Sequence, residues 1–301
     1  MLKRCAALVL LLLVGAAAAQ GSEVAVRDDR GATLRLAAPP QRIVSLMPSL
    51  SEAVCALGAC ALLVGTDRYS NWPAAVRALP KLGGLEDPQI EGVIALKPDL
   101  VLASRSARVI DRLEGLGLKV LVLDSDTHAD VLRSLQLLGQ VLGEPAAAER
   151  LWAGIDRRVA EAAARVPPAL RGKTVYFEVG SGPYAAGAAS FIGQTLARLG
   201  MANVVPASMG PFPLLNPEFV VRARPQVVMA PARELAAMPA RPGWAGLAAL
   251  NGSSCGFDAE RFELLVRPGP RLGEAAEVLT DCLQAVAGRV AGGAAVGAAA
   301  R

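Results

Sequence analysis

A thirteen-residue pattern occurs twice in the chain, once in each half, and it limits the possible folds more than any other feature. The first copy is EGVIALKPDLVLA at 91–103 and the second is EFVVRARPQVVMA at 218–230. Both fit E-x-V-x4-P-x2-V-x-A without a gap, with five identical positions. Each copy predicts a short helix, a turn marked by proline and a buried strand. The repeat therefore predicts two similar lobes.

Strands and helices alternate in both halves, which favours parallel α/β sheets. An Ala-, Glu- and Arg-rich helical pattern separates the halves and would reach roughly 30 Å. The expected fold is α/β, with two Rossmann-like lobes that have parallel sheets and are joined by one long backbone helix. An ordinary packed helix within one domain is the alternative. The expected boundaries are an N-terminal lobe at 39–143, the connecting helix at 144–168, a C-terminal lobe at 169–288 and a disordered Ala- and Gly-rich tail at 289–301.

The first residues have the layout of a secretory signal peptide, predicted at 1–19. Lys3 and Arg4 precede an apolar run at 5–14, and small residues at 17–19 offer a cleavage site. Cys5 precedes the apolar run and is badly placed for lipid attachment. We therefore expect export to the periplasm as a mature protein that begins near Gln20.

Charge and motifs argue against two classes of function. Without Lys3 and Arg4 the mature chain has 29 basic and 27 acidic residues, in no dense basic block, so nucleic-acid binding is not expected. Gly180 and Gly182 imitate a dinucleotide-binding turn, but Pro183 interrupts it. The chain contains no Walker A or H-E-x-x-H motif. An enzyme is therefore not expected, and a Rossmann-type enzyme is the alternative of a different class.

Four cysteines remain after signal-peptide removal, and an exported protein can keep disulfides. Four cysteines allow three pairings. Pairs of Cys55 with Cys60 and of Cys255 with Cys282 are favoured, because each then stays inside one predicted lobe. With one histidine and no C-x-x-C, no metal site is predicted.

Glu91 and Glu218 open the two copies of the repeat, and two interpretations of them remain open on spacing alone. Either acid can simply stabilise a helix N-terminus. Alternatively, matched carboxylates on two lobes can engage arginine-bearing sockets on a dimeric membrane partner.

Three segments of the first lobe resemble the helical-backbone (class III) periplasmic solute-binding proteins: PQRIVSLMPSLSEAVCALG, VGTDRYSNWP and IEGVIALKPDLVLA. The resemblance runs from Pro39 to Leu283. That family contains the cobalamin, haem and ferric-siderophore binding proteins of ABC importers. It implies two lobes joined by one long helix, with the ligand held between them and no covalently bound cofactor.

The resemblance implies a monomer that delivers cobalamin or a related corrinoid to the permease dimer of an ABC importer in the inner membrane. Haem and ferric siderophores are the alternative metal chelates, and a sensing role is the alternative to import. The glutamates that match Glu91 and Glu218 dock the transporter in that family. One family tryptophan is missing before Glu91, where LGGL stands at 82–85.

Ligands of parallel sheets bind at the carboxyl ends of the strands, so loops there should line the cleft. Aromatic rings suit a flat macrocycle. Tyr69, Tyr184 and Phe212 fall at family aromatic positions. The predicted ligand-binding residues are Ser49, Tyr69, Trp72, Tyr184, Phe212, Phe262 and Arg267.

Some polar residues of the predicted cleft have alternative roles. Tyr69 or Tyr184 could bind haem iron through a phenolate. His128 is either an axial ligand or, more simply, a surface residue at a helix start. Arg68 and Arg267 could pair with ligand carboxylates or phosphates, although a solvated position is the default for arginine.

Overall fold

The computed structural model describes residues 23–180 and 182–299, so the predicted signal peptide at 1–19 lies outside the described residues. The described chain begins with a hairpin that the sequence analysis did not predict. Its antiparallel strands are β1 (Val24–Arg27) and β2 (Thr33–Leu36). None of the described helices is long and apolar enough to cross a membrane.

The first lobe is built on a parallel four-stranded sheet of order β4-β3-β5-β6. Its strands are almost entirely buried, and they have the continuous apolar sequences of a sheet that is covered on both faces. The strands are β3 (Ile43–Ser45), β4 (Leu63–Thr66), β5 (Leu100–Ala103) and β6 (Val120–Val122). The helices are α1 (Pro48–Ala56), α2 (Ile90–Ala95), α3 (Ile110–Gly115) and α4 (His128–Leu142).

A twenty-residue helix, α5 (Pro145–Ala164), leads from the first lobe to the second. Proline is tolerated in its first turn, and Pro167 and Pro168 follow its end. The helix packs closely against α4, because Gly139 of α4 has no Cβ. A Cβ there would lie 2.8 Å from the Cβ of Ala148. The predicted connecting helix is thereby confirmed as an element of the fold.

The second lobe repeats the architecture of the first. Its parallel strands have the order β9-β7-β10-β11, which matches β4-β3-β5-β6, and the short β8 pairs antiparallel with the end of β7. The strands are β7 (Thr174–Gly180), β8 (Tyr184–Ala185), β9 (Ala202–Asn203), β10 (Val227–Pro231) and β11 (Ser254–Phe257). The helices are α6 (Phe191–Arg198), α7 (Pro217–Ala223), α8 (Ala232–Ala237), α9 (Ala259–Leu265) and α10 (Leu272–Ala299).

The sequence repeat is also a repeat of backbone geometry. In both copies a short helix, α2 or α7, ends just before a residue with positive φ, and a proline and a buried strand follow. These residues, Lys97 and Arg224, have φ of 46° and 44° and are the non-glycine residues with positive φ among those described. A left-handed residue ends a helix, and the proline after it prevents the helix from continuing.

The last helix, α10, is longer than the sequence predicted. It runs to Ala299 instead of ending near 287, through most of the segment 289–301 for which disorder was expected. Alanine, the main residue of that segment, has the highest helix propensity. α10 packs along α5, where Arg158 pairs with both Glu274 and Glu277 at 3.2 and 2.9 Å.

One continuous apolar core joins the two lobes through the connecting helix. It includes Leu135 of α4, Ile155 of α5, Phe177 of β7 and Leu279 of α10, all of them buried. Both predicted disulfides are confirmed. Cys55 bonds to Cys60 just after α1, and Cys255 of β11 bonds to Cys282 of α10.

Candidate ligand-binding site

A cavity of about 590 Å³ lies between the lobes, at the carboxyl ends of the strands. This is where a parallel sheet is expected to place a ligand. From the first lobe, Met47 after β3, residues 104–106 after β5 and residues 124–126 after β6 line the cavity. From the second lobe the lining residues are Phe191, Phe212, Val266 and Pro268.

The two walls of the cavity differ in polarity. The second lobe contributes apolar groups, including the Phe212 ring, which packs against Phe191 with the ring centroids 5.9 Å apart. The first lobe contributes serines and charged groups, and Arg105 pairs with Asp124 at 2.9 Å. The cavity can therefore hold a ligand with a flat apolar face and a polar edge.

Three of the predicted aromatic residues are exposed and do not line this cavity. Tyr69 and Trp72 follow β4 and are 60% and 37% exposed, and Tyr184 on β8 is 46% exposed. Contiguous exposed apolar surface is more informative than single exposed rings, and Tyr69 and Trp72 share one loop. Their part in ligand binding stays a prediction.

The loop that carries Tyr69 and Trp72 is held by a buried polar network. Asp67 accepts hydrogen bonds from the Tyr69 backbone N–H at 2.7 Å and from the Ser70 hydroxyl. Lys81 donates to the Ser70 carbonyl at 2.6 Å and to Val76 O at 3.0 Å. Burial raises the pKa of the Asp67 carboxyl, although its hydrogen bonds partly offset this effect. Burial also lowers the pKa of the Lys81 amine.

The hairpin that carries Tyr184 rests on a second buried network. Glu178 of β7 is fully buried and pairs across the hairpin with Ala185 of β8. Its carboxylate accepts two hydrogen bonds from Arg241, at 2.7 and 2.8 Å, and one from the Tyr176 hydroxyl at 2.8 Å. Burial, followed by the Glu178 charge, raises the pKa of the Tyr176 phenol well above its ordinary value.

Arg267, a predicted ligand-binding residue, lies in a buried contact between the lobes. Its guanidinium donates to Glu52 at 3.0 Å, to Asn71 at 2.7 Å and to Glu263 at 2.7 Å. Arg271 also donates to Glu52, at 2.8 and 2.9 Å. We call Glu52, Arg267 and Arg271 the inter-lobe ion cluster. Arg267 is buried among protein acceptors, so the solvated position expected by default is wrong. It does not line the cavity, and its part in ligand binding stays a prediction.

The sequence analysis did not identify Glu52 as a functional residue, although its place on an apolar helix is a signal that could have found it. Glu52 is the one charged residue of the apolar helix α1, and it is 1% exposed. A buried carboxylate needs a cationic partner, so its position on an apolar helix predicts a distant arginine without saying which one.

Two other predicted ligand-binding residues pack against neighbouring elements, Ser49 buried and Phe262 half-buried. The Phe262 ring stacks on Phe177 with the centroids 6.3 Å apart, in the core of the second lobe. Ser49 is 2% exposed in the first turn of α1, where Gly269 packs closely against it. Neither residue lines the cavity, because the apolar helices that carry them turn these positions toward neighbouring elements. Their roles in ligand binding stay predictions.

His128 is the first residue of α4, as the helix-start interpretation predicted, and it is half-buried in a contact between the lobes and does not line the cavity. Its Nε2 is 2.8 Å from the Thr195 hydroxyl, and its backbone N–H donates to Gln194 at 2.8 Å. Its ring lies edge-on to Trp152, with the centroids 6.5 Å apart. Burial and then the charge of Arg198 lower the pKa of the imidazole, so the neutral form is favoured.

Glu91 and Glu218 occupy the same position in the two lobes. Each lies in the first turn of its helix, α2 or α7, and is exposed. Each is also near an exposed arginine of its own lobe, Arg112 at 3.8 Å and Arg222 at 3.7 Å. These distances exceed hydrogen-bond length, so both carboxylates can accept partners from outside.

A family model described as periplasmic binding protein matches residues 43–252 of the chain, which cover most of both sheets and all of α5. The chain belongs to this family. The match confirms the resemblance drawn from the first-lobe motifs. The similar proteins described next are named as binding proteins and not as enzymes.

Several proteins similar to this periplasmic binding protein have been described. An uncharacterized ABC transporter substrate-binding lipoprotein, YvrC of Bacillus subtilis, is 29% identical over 86% of this chain and 85% of its own length. The vitamin B12-binding protein of Pectobacterium atrosepticum is 28% identical over 63% of this chain and 71% of its own. A periplasmic haem-binding protein from Pseudomonas aeruginosa is 28% identical, with a TM-score of 0.70 over 81% of this chain and 92% of its own.

Proposed function

We propose that this periplasmic binding protein captures cobalamin or a related corrinoid between its lobes and delivers it to the permease of an ABC importer. The observation that carries the proposal is the inter-lobe cavity with one apolar and one polar wall, and exposed rings on both lobes support it. A corrin ring has two apolar faces and a rim of polar side chains, so it matches both kinds of wall. The vitamin B12-binding relative supports this ligand.

Haem is the second candidate, because a haem-binding protein is as similar in sequence and shares the fold. Tyr69 and Tyr184 carry exposed phenol groups, and a phenolate can bind haem iron. In this alternative the tyrosines would act as ligands to the iron instead of as apolar surfaces.

Absorbance and calorimetric titrations of the purified protein with cyanocobalamin and with haemin test the proposal. We expect saturable binding of one cyanocobalamin per chain. Tyr69→Ala and Tyr184→Ala should each weaken it roughly tenfold, as expected for aromatic anchors in a binding site. Leu116→Ala, which removes a 53% exposed side chain from the end of α3, is the matched control and should leave affinity unchanged. Absence of cyanocobalamin binding together with tight haemin binding would establish the alternative.

The proposed partner is a permease of two similar halves that contacts Glu91 and Glu218 together. Two exposed acids at equivalent points of two equivalent lobes suit such a partner, because charge-assisted hydrogen bonds to arginine are strong and directional. We further propose export through the N-terminal segment at 1–19, in line with the periplasmic and lipoprotein relatives.

We also propose that ligand capture involves only modest closure of the lobes. The inter-lobe ion cluster, the His128 contact and the continuous core around α5 all connect the lobes. Small-angle scattering with and without cyanocobalamin should therefore give nearly the same radius of gyration.

A further inference from the structure

The polar wall of the cavity has an uneven charge distribution. Three charged side chains line it: Arg105, Asp124 and Asp126. Arg105 is already engaged, since it pairs with Asp124 at 2.9 Å and donates to the backbone carbonyl of Asp29. The Asp126 side chain is exposed, and no residue that the structure describes donates a hydrogen bond to its carboxylate or forms an ion pair with it. The wall therefore presents one uncompensated acid to whatever occupies the cavity.

The position of Asp126 is fixed by the backbone around it. Its carbonyl accepts a hydrogen bond from the backbone N–H of Phe191, another lining residue, at 2.6 Å. Directly after it, Thr127 and Asp130 form a reciprocal cap at the start of α4. These contacts fix the Asp126 backbone where the first lobe meets the apolar wall, and its exposed side chain lines the cavity from there.

The cations near this wall have other partners. Arg133 pairs with Asp29 at 2.6 Å and with Asp130 at 2.9 Å, and Arg198 pairs with Asp156 at 2.8 Å. Partial burial, followed by the charges of Asp124 and Asp130, raises the pKa of the Asp126 carboxyl, and the charge of Arg105 partly offsets this effect. An anion placed against this wall would meet repulsion, whereas a hydrogen-bond donor would find a free acceptor.

We propose that Asp126, supported by Asp124, makes the cleft select ligands whose ring edge carries neutral carboxamides over ligands whose edge carries carboxylates. The inference rests on the proposed function, since it concerns the same cleft. Primary carboxamides supply N–H donors to Asp126 and bring no negative charge. Corrinoids with amidated side chains have such an edge, whereas the two propionates of haem would bring anions to a wall that has no free cation among the described residues.

Two probe pairs that differ only at the ring edge test this inference. The first pair is cyanocobalamin and its monocarboxylic acid derivatives, and the second is haemin and its diamide. Dissociation constants are measured by calorimetry for the full-length mature protein and for Asp126→Asn. Asp111→Asn, which alters an exposed acid in the first turn of α3, is the control.

For each probe pair that binds, we expect the unaltered protein and Asp111→Asn to bind the amide member roughly tenfold more tightly than the acid member. Asp126→Asn should lose most of that preference. The preference should also shrink as salt is raised, because it is electrostatic. An unchanged amide-to-acid ratio in Asp126→Asn would overturn this inference and leave the proposed function intact. Failure of the unaltered protein to bind any of the probes would overturn the proposed function and this inference with it.

Discussion

The Glu52 carboxylate of the first lobe lies 3.0 Å from a guanidinium nitrogen of Arg267 in the second lobe, and both side chains are at least nine-tenths buried. The two residues are 215 positions apart in sequence. Arg271 shares the same carboxylate and also lies over the Trp72 ring, with 4.5 Å from its guanidinium carbon to the ring centroid. The inter-lobe ion cluster is therefore in contact with the loop that carries Tyr69 and Trp72.

Glu52→Gln should lower the free energy of unfolding by about 3–5 kcal/mol, because it leaves two buried guanidinium groups without their shared anion. Urea unfolding followed by circular dichroism measures the change. Glu23→Gln is the matched control, since its ion pair with Arg35 is exposed and should contribute no more than about 1 kcal/mol. Equal effects of the two substitutions would show that the buried cluster does not stabilise the protein.

The contact of His128 with the second lobe should make stability depend on pH. Burial lowers the imidazole pKa below its ordinary value of 6.5, so the unfolded chain binds the proton more tightly than the folded one. The stabilisation that the neutral imidazole contributes is fully present above pH 6.5. It is lost as the pH falls toward the lower folded-state pKa, by at most about 1.4 kcal/mol per pH unit.

Unfolding of the unaltered protein and of His128→Asn at pH 7.5, 6.5 and 5.5 isolates this contribution. Arg198 disfavours the imidazolium and Asp156 favours it, so both neighbours stay in place in the comparison. The stability difference between the two proteins should shrink as the pH is lowered. A difference that does not vary with pH would place the imidazole in a solvent-like environment.

The two disulfides should contribute unequally to stability, because the loops they close differ in length. Cys255 and Cys282 are 27 residues apart, whereas Cys55 and Cys60 are 5 apart. Chain-entropy arguments give about 3.5 kcal/mol for the longer loop and about 2 kcal/mol for the shorter. Double replacement of each pair by serine, followed by thermal unfolding, should rank the two losses in that order. The reverse order would mean that local packing outweighs loop entropy.

Charge reversal at both repeat glutamates should abolish uptake and leave ligand capture intact. Glu91→Lys with Glu218→Lys replaces two proposed acceptors by cations, which would repel arginines of the permease. Uptake of labelled cyanocobalamin and calorimetric affinity are measured on the same variant. Glu149→Lys with Glu260→Lys alters two other exposed helical acids and serves as the control. Normal uptake by the repeat variant would disprove the docking assignment.

The elements that sequence reasoning predicted are those with a local or repeated signal. Buried parallel strands such as β5 and β10 have continuous apolar sequences, and the prolines of α5 mark its ends. The repeat predicted equivalent lobes, and the structure adds the identical strand order and the matching backbone at Lys97 and Arg224.

The features that the sequence did not predict depend on partners that are distant in the chain. Nothing near Arg267 indicates Glu52, and nothing near His128 indicates Thr195. The residue types suggested ligand binding, whereas the partners direct these side chains toward the other lobe. The Phe262 ring similarly has an apolar neighbour, Phe177, that no local pattern identifies.

The pairing of α5 with α10 has a mechanical consequence. A single connecting helix can flex, whereas α5 is braced by α10 through Arg158 with Glu274 and Glu277 and through Arg165 with Asp281, so that any bend of α5 must slide it past α10. Two helices braced in this way allow little spontaneous opening of the lobes. In the proposed role, the work needed to release a bound ligand would therefore have to come from the permease.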